Sequence, residues 1–169
     1  IDSVNSTHIL KVPGTWGNGR YPLMFIGDAT VQGIKKRIYA IVIHAKATGD
    51  VPADDYQQRV SDAQALHDFL NTSYPERNVI VLGDFNDDVD VSTYNGQASP
   101  YKPFADDSQR YNIITRRLSD KGVSSYSKGN TMLDHIIVSD ELASQVFIGA
   151  EKIENPSYIG AFRTSTSDH

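Results

Sequence analysis

Val79-Ile80-Val81-Leu82-Gly83-Asp84-Phe85-Asn86 is the stretch on which the reading of this chain turns. Four consecutive apolar residues, three of them β-branched, read as a short buried strand. The run stops at a glycine and then presents a carboxylate and a carboxamide two residues apart. In an extended backbone alternate side chains share a face, so Asp84 and Asn86 are expected to point the same way while Phe85 turns back into the packing. Asp84 is an anionic acceptor; Asn86 both donates and accepts. Together they suit a hard cation or a phosphoryl group. An Asx turn closing a strand is the purely structural alternative, because Asp and Asn turn chains readily.

Other segments extend the pattern on both sides. Residues 7–12 read as a strand, followed by a Pro- and Gly-rich connection over 13–19. Residues 21–26 and 29–34 read as strand, broken near Gly27-Asp28. Residues 36–45 form a strong strand, with Ile38, Ala40 and Val42 alternating with Tyr39, Ile41 and Ile43. Both faces are apolar, which predicts a central strand buried on both sides. Residues 53–71 read as a helix, with Tyr56, Val60, Ala63, Leu66 and Leu70 on one stripe and Pro52 and Pro75 bounding it. Residues 87–110 form a long polar, turn-rich stretch, expected to be functional or mobile. A short helix over 111–119, a buried strand over 132–138, a helical turn over 141–145 and a further strand over 146–154 complete the series. Strands alternate with helices, which predicts a mixed α/β fold dominated by sheet.

Composition narrows the field without deciding it. The 169 residues suffice for one domain with a sizeable core. No apolar run approaches the ~20 residues that span a bilayer. The chain has no cysteine, so disulfides and thiolate zinc sites are excluded, while the compartment is left open. The formal charge of −5 does not advertise a broad basic surface for nucleic acid, although a local patch or a bound metal can offset phosphate charge.

Polar clusters fall where apolar strands meet loops, the usual place for chemistry in a sheet protein. His44 follows Ile41-Val42-Ile43. Asp84 and Asn86 end the next strand. Asp134 opens Asp134-His135-Ile136-Ile137-Val138, and Asp168-His169 come last. Taken in order with Arg20-x-Pro22, Leu133-Asp134-His135-Ile136-Ile137-Val138-Ser139 and Ser167-Asp168-His169, the chain resembles the endonuclease/exonuclease/phosphatase superfamily. That superfamily includes deoxyribonucleases, abasic-site endonucleases, sphingomyelinases and inositol polyphosphate 5-phosphatases.

The resemblance implies a four-layered α/β sandwich, with two mainly antiparallel sheets packed face to face and helices outside. It implies hydrolysis of phosphate esters with Mg²⁺, Mn²⁺ or Ca²⁺ being possible substitutes. His169 resembles the histidine acting at the scissile phosphate, and Asp134 the carboxylate that orients it. Asp84 and Asn86 resemble residues that position the attacking water and bind phosphate or metal. Asp168 resembles a metal-site carboxylate, and His44 the second histidine, near the leaving oxygen or a phosphate oxygen. The chemistry is coherent: a carboxylate fixes the tautomer of a histidine base, and a divalent ion neutralises charge in the transition state. The implied partners are a phosphate-ester substrate (nucleic acid, phospholipid head group or inositol phosphate) and an N-terminal half of the same domain.

That last partner follows from a departure. Family members carry a metal-binding glutamate in an apolar-Gln-Glu segment of their N-terminal half, and no such segment precedes Arg20 here. Residues 1–169 are therefore expected to be a single partial domain, the C-terminal portion. The alternative function is a catalytically inactive fragment or partner-binding module.

Blander readings apply to other residues. His135 adjoins Asp134 on the opposite face of its strand and reads as structural; His8 and His67 have no partner signature. An EF-hand starting at Asp84 fails, because its turn glycine would fall at Val89 and its bidentate glutamate at Asn95. Asp87, Asp88 and Asp90 then read as a solvated acidic loop. Tyr94, Tyr101, Lys102 and Phe104 either contact substrate or pack the long loop on itself.

Overall fold

The computed structural model describes residues 1–31, 33–147, 149–154, 159 and 169. Its frame is one six-stranded sheet built from β1 (Ser3–Ile9), β2 (Leu23–Val31), β3 (Ile34–His44), β4 (Asn78–Asp84), β5 (Tyr111–Ile113) and β6 (Asp134–Ser139). The strand order is β1-β2-β3-β4-β6-β5. Only β3 and β4 run parallel; every other neighbouring pair is antiparallel. A parallel pair needs a crossover, and helix α1 (Pro52–Ser73) lies in the connection. Two short helices, α2 (Lys102–Asp106) and α3 (Arg116–Ser119), precede β5 and β6 respectively.

The fold is the mixed α/β architecture expected. One sheet and one helical layer are present among the described residues, two of the four layers of the expected sandwich. The core lies between α1 and one sheet face. Met24, Ile41, Ile43, Val79, Val81 and Ile137 meet Ala63, Leu66 and Leu70 there. The apolar stripe of α1 follows from 3.6-residue periodicity, and a proline in its first turn costs no hydrogen bond.

Among the described residues the other face is open. In register, Ile9, Leu23, Val42, Leu82 and Ile136 form one row across five strands. Ile9 is 61% exposed and Val42 40%. The alternation in β3 thus marks a central strand as expected, but one face of it is open among the described residues.

Several expectations are corrected. Gly27 does not break β2, which is continuous from Leu23 to Val31. A Cβ there would lie 2.5 Å from the Ser3 carbonyl oxygen, so the glycine lets β1 approach beside the register shift at Val4/Ser6. Asp87 is not solvated: it is fully buried against Arg59 of α1. Residues 87–110, long and turn-rich as expected, pack on the domain: Tyr101 and Phe104 are buried in the core and α2 lies within the stretch. Residues 111–119 divide into β5 and α3 instead of one helix. No strand forms among the described residues of 146–154.

Candidate active site

The parallel ladder brings His44 of β3 opposite Asp84 of β4, and the antiparallel ladder brings Asp84 opposite Asp134 of β6. These three side chains form the row next after Val42–Leu82–Ile136, at the end of the open face. Sequence alternation alone could assign each to a face; pairing of three strands sets them side by side.

Gly83 makes this close approach possible. Its φ is +131°, and a Cβ would fall 2.2 Å from the Ile43 carbonyl oxygen. Beyond it the chain leaves the strand. Ala45 N–H donates to the Asp84 carbonyl at 2.9 Å, and Phe85 N–H to the Leu133 carbonyl at 2.7 Å, so the turn is pinned to both neighbouring strands. Phe85 turns inward as expected, fully buried with Tyr101 at 4.7 Å and His135 at 5.3 Å between ring centroids. Asn86 is not extended. Its φ of +51° is left-handed, a conformation asparagine tolerates. It reaches the same side as Asp84 by this turn: its N–H donates to Asp84 Oδ1 at 2.8 Å, and its Nδ2 to Asp84 Oδ2 at 3.2 Å and the Ala45 carbonyl at 3.0 Å.

His169 completes the group. Its Nδ1 lies 2.8 Å from Asp134 Oδ2, and its Nε2 lies 4.0 Å from Asp84 Oδ2. A carboxylate only accepts, so Nδ1–H donates and Nε2 is left as the acceptor of the neutral ring. His44 Nε2 stands 3.5 Å from Asp84 Oδ2, and Arg20 Nη1 meets the His44 ring at 3.2 Å from Nδ1 and 3.0 Å from Nε2. A guanidinium only donates, so the tautomer that suits both neighbours carries its proton on Nε2. Arg20 is itself fixed by the Gly17 and Ala45 carbonyls.

Burial pushes the Asp84 carboxyl above its ordinary range, and the nearby Asp134 charge adds to this. The Asn86 N–H, His169 and His44 act in the opposite sense. A partly desolvated carboxylate beside a second one is the kind of site that gains from a cation. Asp84, Asp134 and His169 each offer a ligand atom, and these atoms lie within 4.8 Å of one another. Of the expected metal ligands, Asp84 belongs to this group, Asn86 touches it through hydrogen bonds, and Asp168 lies outside the described residues.

The group opens into a cleft of about 590 Å³, whose further walls carry Thr48, Thr93, Tyr126 and Thr131. The Tyr126 ring lies 5.3 Å from that of His169. Sequence reasoning missed Ser125, whose hydroxyl accepts the Leu133 and Asp134 N–H groups at 2.9 and 3.0 Å and so fixes the strand start that bears Asp134. A lone serine in a polar loop carries no signal of that role. His135 is structural, as read: its Nε2 donates to the Met132 carbonyl at 3.0 Å and its Nδ1 meets Thr115 Oγ1 at 3.1 Å. His67 lies away from the group, with Asp107 Oδ2 3.1 Å from its Nε2.

Comparison with known proteins finds the same fold in solved structures. An abasic-site (AP) endonuclease from Archaeoglobus fulgidus superposes with a TM-score of 0.56 at 12% identity, covering 85% of this chain and 61% of that one. The human Nocturnin catalytic domain gives a TM-score of 0.52 at 20% identity, covering 82% of this chain and 48% of that one. The chain thus spans about half the length of the solved structures it resembles. No match was found among curated protein sequences. The model of the Endonuclease/Exonuclease/phosphatase family matches residues 8–169, and to that family the chain belongs.

Proposed function

We propose that this chain carries the catalytic end of a metal-dependent phosphoesterase, in the first instance a phosphodiesterase or nuclease. The observation that carries the reading is the row His44–Asp84–Asp134 across three paired strands, with His169 hydrogen-bonded to its end.

In this reading His169 is the base. Asp134 holds its Nδ1–H, so Nε2 takes a proton from water. Asp84 and Asn86 position that water and the phosphoryl group. The water oxygen bonds to phosphorus as the ester P–O bond breaks, and the leaving oxygen takes up a proton from solvent water while the His44 Nε2–H hydrogen-bonds to it on that side. Hard oxygen donors beside a ring nitrogen, with no sulfur, fit Mg²⁺, and Mn²⁺ or Ca²⁺ as substitutes. Asp84 and Asn86 would hold the ion, joined by Asp168. Bound there, it would neutralise charge gathering on the phosphoryl oxygens.

The open apolar row favours a second reading beside the first. A face carrying Ile9, Leu23 and Val42 in the open is built to be covered. We infer that a second sheet, the N-terminal half of the same domain, covers it and adds the remaining metal ligand. Without that half the chain would be an inactive fragment or a partner-binding module.

Hydrolysis of bis(p-nitrophenyl) phosphate with Mg²⁺, with EDTA as control, tests the proposal. Turnover that needs the metal and is lost in His169→Ala supports it. No metal response, either from this chain or from a longer polypeptide containing it, leaves the binding-module reading.

A further inference from the structure

A second cavity of about 490 Å³ adjoins the reaction cleft and shares Thr48 and Thr93 with it. Its size falls within the roughly 300–1,000 Å³ of small-molecule sites. Asp50 and Val51 at the entry to α1 form one side, and Tyr94 and Asn95 the other.

The Tyr94 side is rigidly built. Tyr94-Asn95-Gly96-Gln97 closes with a Gln97 N–H to Tyr94 carbonyl bond of 3.0 Å, and Asn95 and Gly96 have φ of +50° and +64°. Two successive positive φ values make the tight hairpin turn for which Asn-Gly is the favoured pair. Val91 and Ala98 bridge beneath it. The Tyr56 hydroxyl donates to the Ala98 carbonyl at 3.0 Å, which ties the hairpin to α1. Asp87, buried against Arg59, accepts from the Thr93 N–H at 2.6 Å and the Ser92 hydroxyl at 2.8 Å. Arg59 also donates to the Lys46 carbonyl at 2.9 Å, so one buried ion pair holds both walls, near Thr48 and near Thr93. The Tyr94 ring is backed by Tyr56, with centroids 5.3 Å apart and planes 29° from parallel.

We propose that this cavity is a second subsite that takes the nucleobase of the nucleotide whose phosphate lies in the reaction cleft. The inference rests on the phosphoesterase reading above. A backed, half-buried aromatic ring is a stacking platform for a planar heterocycle. Thr93, Asn95 and Asp50 add hydroxyl, amide and carboxylate groups of the kinds that pair with base edges. The walls contain no lysine or arginine and one carboxylate, which disfavours a further phosphate, as on a polyphosphorylated inositol. A quaternary ammonium head group would call for several aromatic faces around it, whereas the lining offers one.

Two esters with the same leaving group read the subsite: thymidine 5′-(p-nitrophenyl phosphate) and methyl p-nitrophenyl phosphate. The wild-type chain should show the higher kcat/KM for the nucleoside ester. Tyr94→Ala should lower the ratio of the two values by about 5- to 150-fold, the range for loss of one base–aromatic stack. An unchanged ratio, or no nucleoside preference in the wild type, overturns the subsite while leaving the phosphoesterase reading intact. If neither ester turns over, that reading fails in this chain, and binding still decides the subsite. Thymidine 5′-monophosphate should shift the amide resonances of Thr93, Tyr94 and Asn95 where inorganic phosphate does not. Identical shifts from both, or none at these three amides, reject it. A stronger response to phosphocholine or an inositol phosphate at the same amides also rejects the nucleobase assignment.

Discussion

His135 sits beside Asp134 with its ring sealed in the core, and acid should expose the consequence. Burial depresses its pKa to about 4 from the ordinary 6.5, although the Met132 carbonyl favours the charged ring. The unfolded chain therefore binds a proton that the folded chain refuses at pH between these values. Stability from this group is fully present above the unfolded pKa and is lost as pH falls toward the folded one. Between pH 7.5 and 4.5 the linkage relation gives a loss of about 2.5 kcal/mol, with one pKa unit worth ~1.4 kcal/mol. Other groups titrate over the same range, so the informative quantity is a difference. Urea unfolding of wild type and His135→Gln at both pH values supplies it. The variant is less stable at pH 7.5, because it gives up the contacts to Met132 and Thr115. Its further loss on acidification should be smaller than the wild type's by about 2.5 kcal/mol. Equal acid losses in the two proteins would refute the picture of a neutral, buried imidazole fixing this strand.

The buried ion pair gives a second test by denaturant unfolding. Asp87→Ala strands Arg59 without its carboxylate and should cost about 3–5 kcal/mol. The double variant Asp87→Leu/Arg59→Met should cost less than Asp87→Ala alone; the reverse order contradicts the pairing. Gly83→Ala forces a Cβ into the Ile43 carbonyl and should destabilise the protein by about 3 kcal/mol or more. An unchanged urea midpoint would show that β3 and β4 do not approach as described. Asp134→Asn should lower hydrolysis of bis(p-nitrophenyl) phosphate by about 10²–10⁴-fold, the usual worth of an oriented general base. Wild-type kcat in that variant would remove Asp134 from the proposed role.

Much of the frame is legible in sequence because it depends on local pattern. Helix α1 announces itself through its stripe and flanking prolines, and the strand ending in Gly83-Asp84 through its apolar run. The spatial row His44–Asp84–Asp134 is less legible, since it depends on which strands pair and in what register. Motif order anticipates the grouping; the ladders supply it. Asp87 is not legible as buried from its own neighbourhood. An aspartate in a polar run looks solvated unless its cation is known, and that cation, Arg59, lies 28 residues away on a helix face where an apolar stripe predicts no charge. Gly27 misled in the same way, since a glycine that admits a neighbouring strand and one that breaks its own strand look alike in sequence. The open row of Ile9, Leu23 and Val42 cannot be read from β3 alone, because alternation reports that a face is apolar and not what covers it.

His44, Asp84, Asn86, Asp134 and His169 are proposed to form one site for a divalent ion and a phosphate ester. The five histidines of the chain allow a direct test. Mn²⁺ is added in small steps while the ring Cε1–H resonances are followed by NMR. His44 and His169 should broaden at the lowest Mn²⁺, before His8 and His67, and Asp84→Ala should remove this selectivity. Broadening that begins at His8 or His67, or that survives Asp84→Ala unchanged, would contradict the proposed site.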